Sequence, residues 1–425
     1  MTRKPIIIAI VGILLLGGIF LFQKYLPAIR APFFPAPGDI TEYIPDDSIP
    51  PGSVNETNLP LKLPAGFSIS IFAKNLPGAR VMAFDSFGNM WVSRTSEGAV
   101  TLLEIGEDGK VQNQNDIFTG LRKPHGLAFD PEHPGLLYIA EENKIRRVAT
   151  YSDDPGEDVL TLPSGGGHFT RTIGFGPDNK LYISVGSSCN VCHESDERRA
   201  TILQHDTATQ KFTTFARGLR NSVFFIWDTA GKMWATEMGR DLLGDDTPPD
   251  EINIISGPST GLGAGPSTGS TGSPQAGSEQ NSIPNFGWPN CYGKNIHDSD
   301  FDKNTYIRNP CMEPFEMPST IDIPAHSAPL GLAFVPANSK WPKEYWGNLL
   351  IAYHGSWNRT QPTGYKVVRY AFNEQGTVNS EQDFITGWLT PDGALGRPVD
   401  ISVKSDGTMY LSDDKAGVIY KITAS

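Results

Sequence analysis

The sequence has no surplus of positive charge. Its 425 residues carry 35 Lys and Arg against 47 Asp and Glu, a formal net charge of −12. No basic stripe runs through the chain beyond its N-terminal segment, which argues against a protein that grips nucleic acid by its phosphates. Long apolar runs are also missing, with one exception at the N-terminus. Cysteine is scarce: Cys189, Cys192, Cys291 and Cys311 are the full set. What the chain does have is glycine (44) and proline (34). With only moderate apolar content, that mixture suits a turn-rich β protein better than a helical one.

The exceptional run extends from Pro5 to Phe22, behind Arg3 and Lys4 and ahead of Lys24. About 18 apolar residues is the lower edge of a membrane-spanning helix, and basic residues in front place the N-terminus in the cytoplasm. A cleaved secretory signal is the alternative, but no clear small-x-small cleavage site follows. Residues 1–25 are therefore expected to form an N-terminal transmembrane helix that anchors an exported body at the periplasmic face of the inner membrane. If the segment is cleaved, the body is secreted. Residues 26–63, rich in Pro, read as an extended tether, and residues 64–425 as the folded domain. An even cysteine count in an exported chain suggests disulfides, and Cys291 and Cys311 bracket a polar loop as a plausible pair.

From residue 64 onward one pattern recurs: an alternating apolar strand, a Gly- or Pro-containing turn, and a second apolar strand. Val81-Met82-Ala83-Phe84 precedes Gly88 and Met90-Trp91-Val92-Ser93. Gly126-Leu127-Ala128-Phe129 precedes Gly135 and Leu137-Tyr138-Ile139-Ala140. The third copy is Ile173 to Val185, the fourth Val223 to Thr236, the fifth Gly331 to Ala352 and the sixth Val399 to Ser412. Several copies continue into a third strand. About six such copies predict an all-β, six-bladed β-propeller of four-stranded antiparallel blades, in preference to a sandwich array or two barrels. Ring closure should pair a strand from residues 66–73 with the last blade. Residues 256–283, nearly all Gly, Ser, Thr and Pro, break the pattern and read as a flexible surface loop.

Six stretches hold candidate chemistry. Gly165-Gly166-Gly167-His168, ahead of the third copy, presents a histidine on a glycine-rich approach, where a proton can be moved near neutral pH; a lone structural histidine is the plain alternative. Arg220-Asn221 opens the fourth copy, where an Arg can stabilise an anion or simply be solvated. Glu237-Met238-Gly239-Arg240-Asp241, with Asp245, Asp246, Asp250 and Glu251, offers carboxylate and backbone oxygens of the kind that bind calcium, without EF-hand spacing; a charged surface loop is the alternative. Cys189-Asn190-Val191-Cys192-His193 spells the c-type haem attachment pattern, but no distal ligand is evident, and a tight disulfide or free thiols are favoured. His354-Gly355-Ser356-Trp357-Asn358-Arg359 combines groups that line sugar or cofactor pockets, or is a packed turn. Arg397, in Gly396-Arg397-Pro398-Val399-Asp400, either enters a central pocket or pairs with Asp400.

Taken in this order, Gly167-His168 through Pro177-Asp178, Gly218-Leu219-Arg220-Asn221, Asp250-Glu251-Ile252-Asn253, Asn285-Phe286-Gly287-Trp288-Pro289 and Gly396 to Asp400 resemble the pyrroloquinoline quinone (PQQ)-dependent soluble sugar dehydrogenases, the glucose/sorbosone dehydrogenase group. The likeness is greatest to the L-sorbosone dehydrogenase type and covers roughly residues 64–423. It implies PQQ over the central channel, with His168 as general base and Arg220 stabilising charge on the quinone. It implies Asn221, Arg397, Arg359 and His125 as cofactor contacts, and calcium near Gly239 and Arg240. Substrates would be an aldose or related sugar aldehyde, and electrons would pass to a membrane quinone or a periplasmic cytochrome. Two departures stand out. Val399 occupies the place of a second Arg in glucose-oxidising relatives, and their fifth-blade Lys has no clear counterpart, Arg359 standing in for it. Relatives of the sorbosone type carry a Cys-x-x-Cys here without binding haem. A calcium-dependent lactonase and a non-catalytic sugar-binding propeller are the competing readings. The first needs convergent carboxylates on the axis; the second predicts no response to PQQ.

Overall fold

The structure is a computed structural model that describes residues 52–152, 154–256, 283–312 and 316–424. Both the expected anchor and nearly all of the Gly/Ser-rich loop lie outside these residues, and among the described residues no helix is long and apolar enough to cross a membrane.

The repeated strand pairs each grow into one sheet. Blade 1 comprises Ala79–Phe84, Met90–Arg94, Ala99–Ile105 and Val111–Phe118. Blade 2 comprises Leu127–Phe129, Leu136–Glu141, Lys144–Ala149 and Glu157–Thr161. Blade 3 has Ile173–Phe175, Leu181–Val185, Thr201–Asp206 and Lys211–Arg217; blade 4 has Phe225–Trp227, Met233–Glu237, Asp250–Ile255 and Ile321–Ile323. Blade 5 has Pro329–Phe334, Leu349–Tyr353, Lys366–Phe372 and Val378–Ile385. Blade 6 takes Pro398–Val403, Met409–Asp413 and Val418–Ala424 from the end of the chain, and its fourth strand, Phe67–Ala73, from near the start. The expected propeller and its closure by residues 66–73 are both present.

The first strands of successive blades lie against one another around the axis. The approach is too close for side chains at Gly126 and Gly331. A Cβ at Gly126 would sit 2.4 Å from the Arg171 carbonyl oxygen, and one at Gly331 would sit 2.6 Å from the Val399 carbonyl oxygen. Farther out, the apolar face of each sheet packs on its neighbour. Tyr138, Ala140 and Ile145 of blade 2 meet Ile173, Leu181 and Ile183 of blade 3, and Tyr182 and Ile202 meet Phe225 and Met233 of blade 4. On the opposite face of the ring, acidic turns bind the first hairpins shut. Asp85 Oδ1 accepts from the amides of Phe87 and Asn89, and Asp228 Oδ1 from those of Ala230 and Lys232.

One boundary differs from expectation. Residues 54–63 belong to the domain rather than to a tether. Val54–Asn55 pairs in parallel with Phe67–Ala73, Lys62 bridges to Thr386, and Leu59, Leu61 and Leu63 are buried against blades 5 and 6. Three leucines at alternate positions give this segment an apolar face that a solvated tether would leave in water.

Candidate functional site

Antiparallel strands reverse direction at each step. In every blade, therefore, the connection between second and third strands and the connection to the next blade emerge at the same face of the ring. His168, Arg220, Asn221, Ala328 and Arg397 lie on blade-to-blade connections or at their ends. Asn190, Gly239, Asp241, Trp357 and Asn358 lie on connections between second and third strands. The periodicity alone brings these distant residues to one face.

A cleft of about 380 Å³ opens there, lined by His168, Asn190, Arg220, Asn221, Met238, Gly239, Asp241, Asp250, His326, Trp357 and Asn358, among others. Glycines set the position of His168. Gly166 has φ +88°, and a Cβ on it would meet the Ser188 carbonyl oxygen at 2.5 Å. Gly186 lies beneath the histidine, and a Cβ there would come within 2.6 Å of His168 Cβ and 2.8 Å of Asn221 Oδ1. The imidazole Nδ1 lies 3.1 Å from the Ser187 carbonyl oxygen and 2.9 Å from Ser187 Oγ. A carbonyl only accepts, so Nδ1 carries the proton of the neutral ring and Nε2 keeps its lone pair. Burial first, and the Arg220 charge second, push the pKa of His168 down to about 3.

Arg220 is buried, and all five of its N–H groups are engaged. Nε donates to the Asn190 carbonyl at 2.9 Å. Nη1 donates to the Met238 and Gly239 carbonyls at 3.2 and 2.9 Å. Nη2 donates to Asn190 Oδ1 at 2.8 Å and to Asp241 Oδ2 at 3.0 Å. It therefore presents a fixed positive charge. Asn221 donates its backbone N–H to Glu237 Oε1 at 2.8 Å. The Asp250 carboxylate accepts from the amides of Gly239 and Ala328, both at 2.8 Å, yet burial raises its pKa to about 7.

Arg397 sits in a neighbouring cluster. Its Nε donates to the His354 carbonyl at 3.0 Å and its Nη2 to the Gly355 carbonyl. His354 Nε2 lies 2.9 Å from Asp414 Oδ1, and Arg80 Nη1 lies 2.7 Å from Asp414 Oδ2. One guanidinium and one imidazole thus share this carboxylate, and against the opposing effect of burial His354, Arg80 and Arg397 hold the Asp414 carboxyl well below the usual carboxylate range. Arg397 does not pair with Asp400, which instead accepts from the Met82 amide at 2.9 Å.

Three side chains lie away from the cleft, among them that of Arg240, whose expected contact with calcium is through the backbone. Arg359 is spent on the Ala325 carbonyl at 3.0 Å and on Asp246 at 2.7 Å, because the acidic loop 241–246 crosses in front of it. The Arg240 side chain turns from the cleft toward Asp298 at 3.2 Å, into a separate small cavity. His125 is fully buried beneath the face, with Nδ1 3.3 Å from Thr172 Oγ1 and Nε2 unpartnered among the described residues. Cys189 and Cys192 form a disulfide, as do Cys291 and Cys311, so the Cys-x-x-Cys motif has no thiols free for haem. Sequence reasoning passed over Asn190, His326, Arg80 and Asp414. Asn190 read only as a spacer between cysteines, and the others stand in no motif.

The ring and the polar cleft on this face define a propeller with a candidate ligand site where its blade connections converge. The chain matches the TrAA12-like family over residues 61–425, and it belongs to that family. An uncharacterised protein of Borreliella burgdorferi is 30% identical over 390 residues, covering 87% of this chain and 92% of that one. The pyrroloquinoline quinone-dependent pyranose dehydrogenase of Coprinopsis cinerea is 24% identical over 412 residues. The match covers 84% of this chain and 54% of that protein, so the chain spans about half of that relative's length. In fold, it is similar to the calcium structure of the Trichoderma reesei family AA12 carbohydrate-active enzyme, with a TM-score of 0.69 and 22% identity over 86% of this chain and 97% of that one. The sugar dehydrogenase group anticipated from the motifs is the group these relatives represent.

Proposed function

We propose that the protein is a PQQ-dependent sugar dehydrogenase that oxidises an aldose, a pyranose or a sorbosone-like sugar aldehyde. The observation that carries this reading is the convergence of His168, Arg220 and Asn221 in one cleft of a TrAA12-like chain. The surroundings suit an anionic cofactor: Arg220 lines the cleft, and Arg80 and Arg397 lie in the adjoining cluster. Among the described residues, polar atoms also stand buried without partners at Arg80 Nε, His125 Nε2 and Asn358 Oδ1. The quinone, when bound, supplies the hydride acceptor that no side chain offers.

His168 Nε2, unprotonated over the physiological range, takes the proton of the sugar hydroxyl at the oxidised carbon. The fixed charge of Arg220 favours negative charge developing beside it. Asn221 and Arg397 would hold and orient the cofactor. Calcium finds oxygen donors of the right class in the Gly239 carbonyl and in Asp241, although Arg220 already occupies one side of that carbonyl. Two disulfides support an oxidising compartment, in line with export behind an N-terminal anchor and electron transfer to a membrane quinone or periplasmic cytochrome.

The lactonase reading is weaker. Among the described residues the one cluster of three potential metal ligands is Cys189, Cys192 and Glu194, whose sulfurs are joined to each other. Titration of the purified protein with PQQ, with and without calcium, followed by dye-linked oxidation of a panel of pyranoses and sugar aldehydes, tests the proposal. Saturable binding and turnover are expected. Binding without turnover on any sugar favours the non-catalytic propeller, and no spectral change with PQQ overturns the dehydrogenase.

A further inference from the structure

The 186–200 connection of blade 3 carries a disulfide that the proposed chemistry does not use. The Cys189–Cys192 bond closes a small ring around Asn190 and Val191, and Cys189 and Asn190 of that ring line the cleft. Its carbonyl oxygen accepts from Arg220 Nε at 2.9 Å, and its Oδ1 accepts from Arg220 Nη2 at 2.8 Å. Two oxygens of one residue thus grip one edge of the guanidinium as a carboxylate would, without adding negative charge. The same Oδ1 accepts from the Asp241 amide at 2.8 Å, Nδ2 donates to the Asp241 carbonyl at 3.0 Å, and Trp288 Nε1 donates to the Asn190 carbonyl at 3.4 Å. One residue from blade 3 therefore fixes both the guanidinium and the acidic loop of blade 4.

A loop connection has to be held rigid to act as such a template, because the grip fails if the carbonyl and side-chain oxygens of Asn190 lose their mutual orientation. The covalent link three residues apart supplies that restraint. We propose that Asn190, locked by the Cys189–Cys192 disulfide, is the positioning residue that sets Arg220 and Asp241 in the cleft, and that the disulfide acts on the site through Asn190. The importance of this for turnover rests on the dehydrogenase reading; the positioning itself does not.

The experiment compares wild type, Asn190→Ala, Asn190→Asp, a Cys189→Ser/Cys192→Ser double variant and the triple variant with Asn190→Ala. In the protein without cofactor, the Arg220 Nε–H resonance, assigned by its loss in Arg220→Lys, reports the grip directly. Asn190→Ala and the double cysteine variant should each move it toward the solvent position and speed its hydrogen exchange at least about tenfold, with melting temperature nearly unchanged. Asn190→Asp, which keeps the acceptor oxygen, should restore it in part and serves if the alanine variant does not fold. With PQQ, kcat should fall by roughly ten- to a hundredfold, the scale on which partners behind a directly acting group usually count, and KM should change little. The triple variant should be no worse than Asn190→Ala, because the two changes break one linkage. An unmoved Arg220 resonance in Asn190→Ala overturns the proposal whether or not PQQ binds, and additive losses in the triple variant overturn the role of the disulfide. If the resonance moves while wild type ignores PQQ, the dehydrogenase reading fails and the positioning stands.

Discussion

His168 Nδ1 lies 3.1 Å from the carbonyl oxygen of Ser187, and that contact decides which nitrogen of the imidazole is basic. The ring lines the cleft with its proton tied down on the Ser187 side. Glutamine at this position can still fill the space and donate to the carbonyl, but it has no basic atom. His168→Gln should therefore bind PQQ within a few-fold of wild type while kcat drops by about 10²–10⁴, the usual contribution of a general base. Stopped-flow reduction under saturating sugar measures this, and an unchanged kcat would remove His168 from the chemistry.

The acid side of the pH profile should belong to another group. Burial and Arg220 hold the pKa of His168 at about 3, so the imidazole stays neutral well below the ordinary histidine value of roughly 6.5. Asp250, on the same cleft, is raised to about 7 by burial. An ionisation of kcat/KM near neutrality should then come from Asp250 and vanish in Asp250→Asn; its persistence there refutes the assignment.

Stability follows the same linkage. Below a pH of roughly 6.5 the unfolded chain takes up a proton at His168 that the folded chain refuses until about 3. This site therefore removes stability as pH falls through that window. On going from pH 7 to pH 4, calorimetry should record a smaller fall in melting temperature for His168→Gln than for wild type. Equal falls would mean that burial does not depress this imidazole.

Gly186 offers a test in which no polar group is removed. An added Cβ would meet His168 Cβ at 2.6 Å and Asn221 Oδ1 at 2.8 Å. Gly186→Ala should displace both and cost at least about tenfold in kcat, since a shift of an ångström at a reacting group is worth up to roughly a hundredfold. Gly135→Ala, where nothing lies within 4 Å, is the matched control and should behave as wild type. Full activity in Gly186→Ala would show that the histidine is not held from below.

Ring closure is tested at Phe67. The ring is fully buried, with centroids 4.8 Å from Trp341 and 5.1 Å from Tyr345 and Phe384. Phe67→Ala should cost about 3–5 kcal/mol and lower the unfolding temperature. Because blades 3 and 4 are untouched, kcat at low temperature should be retained. A variant as stable as wild type would argue that blade 6 does not need its fourth strand.

Much of the architecture was legible because it rests on period and turn chemistry, and Val81–Phe84 or Met409–Ser412 can be read as strands without any partner in view. His168 and Arg220 were legible for a related reason: both stand at a fixed offset before a repeat, and the repeat carries them to a common face. Arg359 was misjudged because nothing in the chain announces that Asp246, 113 positions away, folds over to neutralise it. Asn190 was missed because its importance lies in bonds to connections two and four strands later. Leu59, Leu61 and Leu63 did carry a signal, an alternation hidden among prolines that made the segment look unstructured.

The pairing of Phe67–Ala73 with Val418–Ala424 also bears on biosynthesis. Without residues 418–424, Phe67–Ala73 lacks the antiparallel partner that completes blade 6. The circle can shut only once residues 418–424 are available to pair with Phe67–Ala73.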